Sequence, residues 1–519
     1  MMKTKQLFKS HLFSLAALFS MALAGVSCAN EDIVQNGKGG DNGKGFATFV
    51  ADAPTQTRTS IDYATGNFYW EEGDKIYVKD DDGTIQVSNA VDAAHAHSAS
   101  FRFRVPGKFG GSATYKVYYL GKNGGGNQVT IPTAQTQTAP NTTDHLGDSG
   151  DYGTATAIGT LGGSIFSFQL EHQPAYLVFQ PYTSNAVLKN CYLTKIEVNS
   201  NDDIAETYTI DLMTGNLTSS AGSTQIILTT KDSHYGSANY DGFPLTNSSP
   251  SLTTNGAYLS IKPGTHTLKI RYWVKDIVTN LEGTITKNLP SFNYAKNTYY
   301  DMTADLNVKN YDGDKYYMWD AQQNYWAGHE WNSADPWQPV LNWGNNPNYA
   351  QSSSDLRYYG MSNPATHAPC KDMPNVNEMT WYAMKGDPRW DRDELWATMG
   401  HLRKGGIWIL KKVNITGYSK EKAYNGTDFR ITNANCNNTN PTQGLPSALD
   451  ANKYFYLPAL GYYATGYCSF IGTDGYYWSS SGYDDNSSFR YMLHFVQGGG
   501  ILVGPFRPES GCSAQMLFE

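Results

Sequence analysis

The sequence predicts a mainly β protein in which two tandem β-sandwiches are followed by an α+β unit. Three observations support this fold class. Only 17 % of the 519 residues are charged, whereas 50 are glycine and 37 are tyrosine, a composition typical of turn-rich β domains. Short stretches of strand-forming residues are separated by Gly, Asn, Asp and Pro turns. Ten of the twelve tryptophans follow residue 311, which marks a change of domain type.

Residues 1–28 have the pattern of an export signal. Three lysines in the first nine residues precede an apolar run, Leu12 to Ala24, that is too short for a permanent transmembrane helix. The segment ends in a small residue followed by Cys28, which resembles a bacterial lipoprotein signal and implies a lipid on Cys28 that holds the precursor on a membrane. Gly25 replaces the usual leucine, so a cleaved signal peptide with an incidental cysteine is the alternative. The polar, Gly-rich residues 29–45 predict a flexible tether.

The other cysteines predict disulfides. Four of them lie after residue 369, which in an exported protein is compatible with two disulfides in three possible pairings: Cys370, Cys436, Cys468 and Cys512. Their spacing fits no zinc motif, and neither a metal nor another cofactor is expected. The formal net charge of −8, with no basic tract after the N-terminus, argues against nucleic acid as a partner.

The N-terminal unit, residues 46–185, begins with a candidate strand, Phe46 to Val50. Ser100 to Val105 and Ala113 to Leu120 are further strand candidates. The acidic run Asp80 to Gly83 fits a hairpin turn, because it lacks the twelve-residue ligand pattern of a calcium loop. Regular short strands with such turns predict a sandwich.

The middle unit, residues 186–308, has the same pattern. Tyr192 to Val198 is a strand candidate, and His266 to Val274 forms a predicted hairpin with Glu282 to Thr286. Thr298 to Val308 closes the unit. No helical period of useful length occurs in either unit, so a second sandwich is expected.

These two units resemble the fimbrillin-like lipoproteins of Bacteroidetes. The resemblance rests on Arg58 to Ser60, on Trp70 to Val78 (WEEGDKIYV), on Phe168 to Phe179 (FQLEHQPAYLVF) and on the closing strands, and it covers residues 46–308. It implies two transthyretin-like sandwiches and membership of type V pili. In that family a lipidated precursor is exported, an Arg-specific protease removes the first strand, and a strand of the next subunit enters the exposed groove.

Arg58 is the candidate cleavage site. It is the first arginine after Cys28 and it follows the candidate first strand. A missing strand leaves an apolar groove with unpaired backbone groups, and an inserted strand satisfies both. The alternative is that Arg58 is an ordinary turn or strand residue. The resemblance implies that other pilus subunits are partners, bound by strand insertion.

The C-terminal unit, residues 316–519, mixes helical and strand periods. Pro374 to Met384 predicts a helix with a proline in its first turn, and Arg392 to Gly400 is a second short helix candidate ended by glycine. Gly406 to Lys412 and Gly475 to Ser481 (GYYWSSS) predict strands. The unit is therefore expected to be α+β.

This unit resembles the C-type-lectin-like domains of Bacteroidetes and Fibrobacter surface proteins. The matching segments are Cys370 to Pro374 (CKDMP) with Asn377 to Met379, Gly405 to Trp408, Leu457 to Ala459, and Gly475 to Ser480. The pattern implies the domain type but no ligand. The Glu-Pro-Asn and Trp-Asn-Asp signatures of calcium-dependent sugar binding are absent from the sequence, so that activity is not implied.

An enzyme is not expected. Paired carboxylates could serve glycoside hydrolysis, but a charge-rich loop before a short helix is typically a solvated helix N-terminus. The carboxylates in question are Asp387, Asp391, Asp393 and Glu394. The histidines of this unit are scattered without ligand spacing, and Ser479 to Ser481 lack the glycine frame of a nucleophile elbow. The cysteines do not show the motif of the related formylglycine-generating enzymes.

Aromatic side chains are the candidate ligand contacts, because they can stack on sugar rings or anchor protein contacts. Four lie in an irregular segment in which packing on their own loop is the alternative to binding: Trp326, Trp331, Trp337 and Trp343. Three more lie on or beside the predicted loops that flank the GYYWSSS strand: Tyr462, Tyr467 and Tyr483.

The sequence thus favours a fimbrial tip or minor subunit whose C-terminal unit adheres to a glycan or protein of a host or bacterial surface. Its expected location is the outer membrane, as an exported lipoprotein, and then a surface fimbrium. Gln515 to Glu519 lie within the lectin-like unit, so no free C-terminal strand is expected for donation to a further subunit. The alternative is a non-pilus surface lipoprotein that binds glycans and keeps its lipid.

Overall fold

The protein is mainly β, as predicted. The computed structural model describes residues 45–51, 60–62, 67–122, 127–211, 217–219, 222–340, 344–483 and 488–519. Cys28, Arg58 and Trp343 lie outside the described residues. Within those residues, no helix has the length and apolar character needed to cross a membrane.

Short strands fill the described part of the chain up to residue 172. They are β1 (Phe46–Ala51), β2 (Ser60–Asp62), β3 (Asn67–Tyr69), β4 (Tyr77–Lys79), β5 (Ile85–Val87), β6 (Phe101–Pro106), β7 (Thr114–Tyr119), β8 (Gln128–Ile131), β9 (Ala134–Thr136), β10 (Gly153–Gly159), β11 (Ile165–Phe168) and β12 (Glu171–His172).

The first strand lies inside a sheet and not at its edge. The order is β5-β4-β7-β10-β11-β1-β6, with β12 paired to β10. β1 is antiparallel to β6, with Phe49 opposite Phe103, and parallel to β11, with Phe49 opposite Phe166. The alternation that predicted this strand places one set of its side chains in the core, where Trp70 packs edge-on against Phe103 at 4.9 Å.

The next stretch, up to residue 305, is also built of strands. They are β13 (Ala175–Tyr182), β14 (Cys191–Ser200), β15 (Glu206–Ile210), β16 (Leu217–Ser219), β17 (Gln225–Thr229), β18 (Phe243–Pro244), β19 (Ala257–Ile261), β20 (Gly264–His266), β21 (Leu268–Asp276), β22 (Leu281–Asn288), β23 (Phe292–Tyr294) and β24 (Thr298–Asp305), with the single helical turn α1 (Leu252–Asn255).

Strand pairing crosses the boundary predicted between residues 185 and 186. β13 lies between β19 and β24, while β8 pairs with β15 and β9 with β17. Side chains of β13 and β19 share a hydrophobic core with those of β14, β17 and β21, and Phe179 meets Tyr272 edge-on at 6.1 Å. The core of the middle unit is thus completed by residues that precede it in the chain.

The remaining elements belong to the C-terminal part of the chain. They are β25 (Lys309–Asn310), β26 (Tyr316–Tyr317), α2 (Val376–Lys385), β27 (Arg389–Thr398), β28 (His401–Leu410), β29 (Cys436–Asn438), β30 (Tyr454–Pro458), β31 (Tyr462–Ala464), β32 (Tyr467–Ser469), β33 (Asp474–Gly482), β34 (Arg490–Val496), β35 (Ile501–Phe506) and β36 (Cys512–Ser513).

The predicted helix and the GYYWSSS strand are both present. α2 starts with a capping box, in which the Asn375 side chain accepts from the Glu378 amide and the Glu378 carboxylate accepts from the Asn375 amide. GYYWSSS lies in β33, at the centre of the sheet β26-β36-β33-β34-β35-β29. Tyr477 and Trp478 of this strand are fully buried, so the segment forms the core of the unit.

The second predicted helix is wrong, because Arg392 to Gly400 lies mostly in strand β27. β27 pairs with β28 and also runs parallel to β22 of the middle unit. The result is one sheet, β30-β28-β27-β22-β21-β14-β17-β9, that passes from the C-terminal unit into the middle unit. Its main partner is β28, which follows directly through a turn in which Met399 and Gly400 have positive φ, so the glycine that was taken to end a helix belongs to the turn of a hairpin.

Candidate functional site

The first candidate site is the position that β1 occupies. Ala47, Phe49 and Ala51 are buried, and they point into the core of the N-terminal unit. The Phe49 ring stacks on Phe166 at 5.2 Å and meets Phe109 edge-on at 5.3 Å. Taking β1 away would open an apolar groove lined by these aromatic rings.

The groove would also have two unpaired sides. β1 is in register with β6 from Phe46 to Ala51 and with β11 from Thr48 to Ala51, so both neighbours lose backbone partners when it leaves. Unpaired strand edges of this kind are templates for another strand. The chemistry of the site is therefore recognition of an extended peptide with apolar side chains at every second position.

The predicted tryptophan contacts are mostly engaged within the unit itself. Trp326 is buried against Tyr325 and Tyr463, at ring distances of 5.1 and 5.8 Å. Trp337 is partly buried and stacks on His329 at 3.3 Å. Self-packing thus accounts for Trp326, which is not available to a ligand.

Trp331 is likewise partly buried. An added Cβ at Gly313 or at Gly400 would lie 3.1 and 3.3 Å from its indole ring, so the ring covers both glycines. A side chain at either position would crowd the indole ring. This contact ties the irregular tryptophan segment to the turn between β27 and β28.

One predicted contact, Tyr462, belongs to a partly exposed aromatic cluster. Tyr462 lies 4.5 Å from Tyr476, 5.3 Å from Phe506 and 6.1 Å from Phe470, and its ring is nearly parallel to that of Phe470. We call these four residues the aromatic cluster. Tyr476 is the buried member of the cluster, whereas the other three side chains keep some exposed surface. Flat, partly exposed rings can receive a sugar ring or an apolar side chain.

Phe470 is the most unusual member of the cluster. Its side chain is 47 % exposed, and its backbone has a φ of +65°. A bulky residue in the left-handed region is a strained outlier, which persists only where the surroundings hold it. Exposure and strain together mark Phe470 as a functional candidate that was not among the predicted contacts.

The remaining predicted tyrosines differ in exposure. Tyr467, in the same hairpin as Tyr462, is 37 % exposed. Tyr483 is partly buried and its ring lies 5.0 Å from Tyr491, at the far end of β33. The predicted contacts therefore do not form one surface.

The four C-terminal cysteines are separate buried thiols in the structure, contrary to the two predicted disulfides. Burial raises the pKa of Cys370, Cys436 and Cys468 to about 12, and the pKa of Cys512 rises well above its usual value for the same reason. Thiolate is the form that reacts, so these residues are chemically quiet. They act as small apolar core residues.

Sequence reasoning missed a buried charge network in β27. The carboxylates were expected to be solvated, but Asp391 is buried and accepts from Arg271 of β21, with Nη2 at 3.0 and 3.2 Å from its two oxygens. Trp408 Nε1 donates to the same carboxylate at 3.0 Å. Only the strand pairing between the units brings these charges together.

The chain matches no protein-family model and no curated protein. Among solved structures, a candidate cell adhesion protein from Bacteroides ovatus is similar at 16 % identity and a TM-score of 0.29, over 46 % of this chain and 83 % of the other. The fimbrial anchor protein Mfa2 from Porphyromonas gingivalis is 11 % identical at a TM-score of 0.22, over 47 % and 82 %.

A third similar structure is a fimbrial assembly protein from Parabacteroides distasonis. It is 12 % identical, with a TM-score of 0.25, over 50 % of this chain and 90 % of the other. Likenesses of this size do not establish the fold or the family.

Proposed function

We propose that this protein is a tip or minor subunit of a type V pilus. In this proposal it assembles by donor-strand exchange and adheres through its C-terminal unit. The single observation that carries the proposal is the position of β1, which fills the core of the N-terminal unit yet is immediately followed by the segment that contains Arg58. A strand so placed can be removed by one cleavage and replaced by another strand.

The replacement strand must reproduce what β1 supplies. It needs a large apolar side chain in the place of Phe49, flanked two residues away on each side by small apolar side chains in the places of Ala47 and Ala51. It must also pair with β6 on one side and β11 on the other. These requirements define the donor segment of a partner subunit.

Residues 512–519 are held by other parts of the C-terminal unit. β36 pairs with β26 and β33, and the Lys412 amide donates to the Glu519 carbonyl oxygen at 2.7 Å. Phe518 is nearly buried against Tyr382 at 5.3 Å. Residues 512–519 are thus engaged in the C-terminal unit.

The proposal is tested by changing the candidate cleavage site. Arg58→Ala should leave the precursor uncleaved and absent from sheared pili, measured by immunoblotting of the pilus and membrane fractions. The matched control is Arg102→Ala, which removes an exposed arginine from the neighbouring strand β6 and should leave pilus incorporation unchanged. Normal incorporation of the Arg58→Ala protein would contradict the proposal.

The exposed aromatic cluster supports a second candidate function, that of a non-pilus surface lipoprotein that binds glycans. This candidate predicts that Cys28 and its lipid stay on the mature protein. It also predicts saturable polysaccharide binding that Phe470→Ala weakens, measured by affinity electrophoresis. Val413→Ala, at a residue with an 83 % exposed side chain elsewhere on the unit, is the matched control. Equal binding by the two variants would count against this candidate.

A further inference from the structure

A lysine and an asparagine lie opposite each other on the hairpin formed by β21 and β22. Lys269 is in register with Asn288 in this antiparallel pair, so both side chains stand on the same face of the sheet. The Leu289 amide donates to the Leu268 carbonyl oxygen at 2.8 Å. The pair Lys269–Asn288 is therefore of the non-hydrogen-bonded kind, in which the two side chains lie closer together.

Both side chains line one cavity, at the place where the middle unit meets the C-terminal unit. Asp391 and Pro446 of the C-terminal unit line the same cavity. Lys269 is buried, and its Nζ donates to the Pro446 carbonyl oxygen at 2.6 Å. The amino group is thus held at the cavity that the Asn288 side chain also faces, and the C-terminal unit shields it from bulk water.

Two polar atoms on this face of the hairpin are buried and have no hydrogen-bond partner within the described part of the chain. One is the amide oxygen Oδ1 of Asn288, and the other is Nε of Arg271. Arg271 is opposite Thr286, which makes it the diagonal neighbour of Asn288. A positive charge in that position favours negative charge on the Asn288 oxygen.

The charge of Arg271 also acts on Lys269. Burial, and after it this charge, lowers the pKa of Lys269 to about 8. The negative charges of Glu197, Asp391 and Glu394 oppose the shift but do not cancel it. At pH 7 about a tenth of the Lys269 side chain is therefore an uncharged amine, which is the form that acts as a nucleophile.

We propose that the Lys269 amine and the Asn288 side-chain amide react to form an intramolecular isopeptide bond between β21 and β22. Nζ attacks Cγ, which gives a tetrahedral centre with a positive charge on Nζ and a negative charge on Oδ1. A proton then passes from Nζ to Nδ2, the carbonyl bond forms again, and the Cγ–Nδ2 bond breaks. Ammonia leaves, and no oxidant, reductant or further reactant is consumed.

The surroundings of the pair suit this reaction. Arg271 stabilises the negative charge that forms on Oδ1, while the Asp391 carboxylate, which lines the cavity, stabilises the positive charge on Nζ. Arg271 and Asp391 are bonded to each other at 3.0 Å, so each holds the other in place. The low water content of a buried site favours attack by the amine over hydrolysis of the amide.

The bond closes the hairpin covalently at a mechanically important place. β21 and β22 are neighbouring strands of the sheet that continues into β27 of the C-terminal unit. A force applied to the C-terminal unit is transmitted to these strands, and the bond prevents their separation. The inference holds whether or not the protein enters a pilus, since it depends only on contacts within the chain.

The test is tandem mass spectrometry of a tryptic digest of the purified full chain. In the wild type, the peptide that ends at Arg271 should be joined to the peptide that begins at Asn288, with the loss of one ammonia and no cleavage after Lys269. Lys269→Arg keeps the positive charge but removes the nucleophile, so the joined peptide should disappear. The matched control Lys275→Arg, on the same strand and opposite Glu282, should keep it.

Two results would overturn the proposal: separate peptides with cleavage after Lys269 in the wild type, or a joined peptide that persists in the Lys269→Arg protein. Loss of ammonia through ring closure of Asn288 on its own backbone leaves the two peptides separate, so it also counts against the proposal. If the Lys269→Arg protein does not fold, the wild-type digest decides alone, because the fragment masses locate the bond.

Discussion

Phe49→Ala is the substitution that separates the role of β1 in the precursor from its role after assembly. Phe49 is completely buried, and its ring contacts Phe166, Phe109 and Tyr115 at centroid distances of 5.2, 5.3 and 6.2 Å. Removing such a ring leaves a cavity that costs about 3 to 5 kcal/mol. We expect about 3 kcal/mol here, because Phe109 is itself only partly buried and can move into the space.

The assay is hydrogen exchange of the β6 and β11 amides in the uncleaved protein. A loss of about 3 kcal/mol corresponds to a loss of protection of roughly 150-fold. Phe46→Ala is the matched control. Phe46 is on the same strand but its side chain is 56 % exposed, and its ring centre lies 5.0 Å from the guanidinium carbon of Arg104. In a protein already cleaved and assembled, Phe49→Ala should have no effect, since the strand has left. Equal protection in the two uncleaved variants would refute the argument that β1 fills the core.

Three further outcomes are expected. Arg271→Met should lower the free energy of unfolding by about 3 to 5 kcal/mol in urea titrations, because the buried Asp391 loses its cation; an unchanged midpoint would show the pair to be dispensable. Gly475→Ala should lower the melting temperature, since the added methyl group would lie 2.2 Å from the Phe495 ring; an unchanged melting temperature would mean that the ring moves freely. Cys370 should resist iodoacetamide at pH 8 in the native protein, because its pKa is raised to about 12, and react after unfolding without reductant; a requirement for reductant, seen by mass spectrometry, would restore the predicted disulfides.

Local sequence signals predicted the elements that are decided locally. The alternation in Phe46 to Val50 marked β1, because period-two burial is all that a strand with one buried face requires. The helical period after Pro374 predicted α2, and the structure adds a capping box of Asn375 and Glu378 that satisfies the first free amides of the helix.

The charged part of β27 could not be predicted in this way. A run with Asp391, Asp393 and Glu394 is normally solvated, and nothing nearby in sequence offers a buried cation. The cation is Arg271, 120 residues earlier. Its position beside Asp391 depends on the pairing of β22 with β27, which is a tertiary contact.

The aromatic residues were predicted in part. Tyr462 lies in the partly exposed aromatic cluster, and its role as a ligand contact stays a prediction, whereas Trp326 is a core residue. A large aromatic in an irregular segment can cover its own loop or face solvent, and composition does not distinguish the two. Phe470 stands out by its exposed side chain and its strained backbone, and the sequence of a bulky residue reveals neither.

The N-terminus of the protein found in pili tests the proposed function most directly. Mass spectrometry of sheared and purified pili should find this chain beginning at Thr59, without β1 and without a lipid. A chain that is found only in the membrane fraction, lipidated at Cys28 and intact through Arg58, would contradict the proposal.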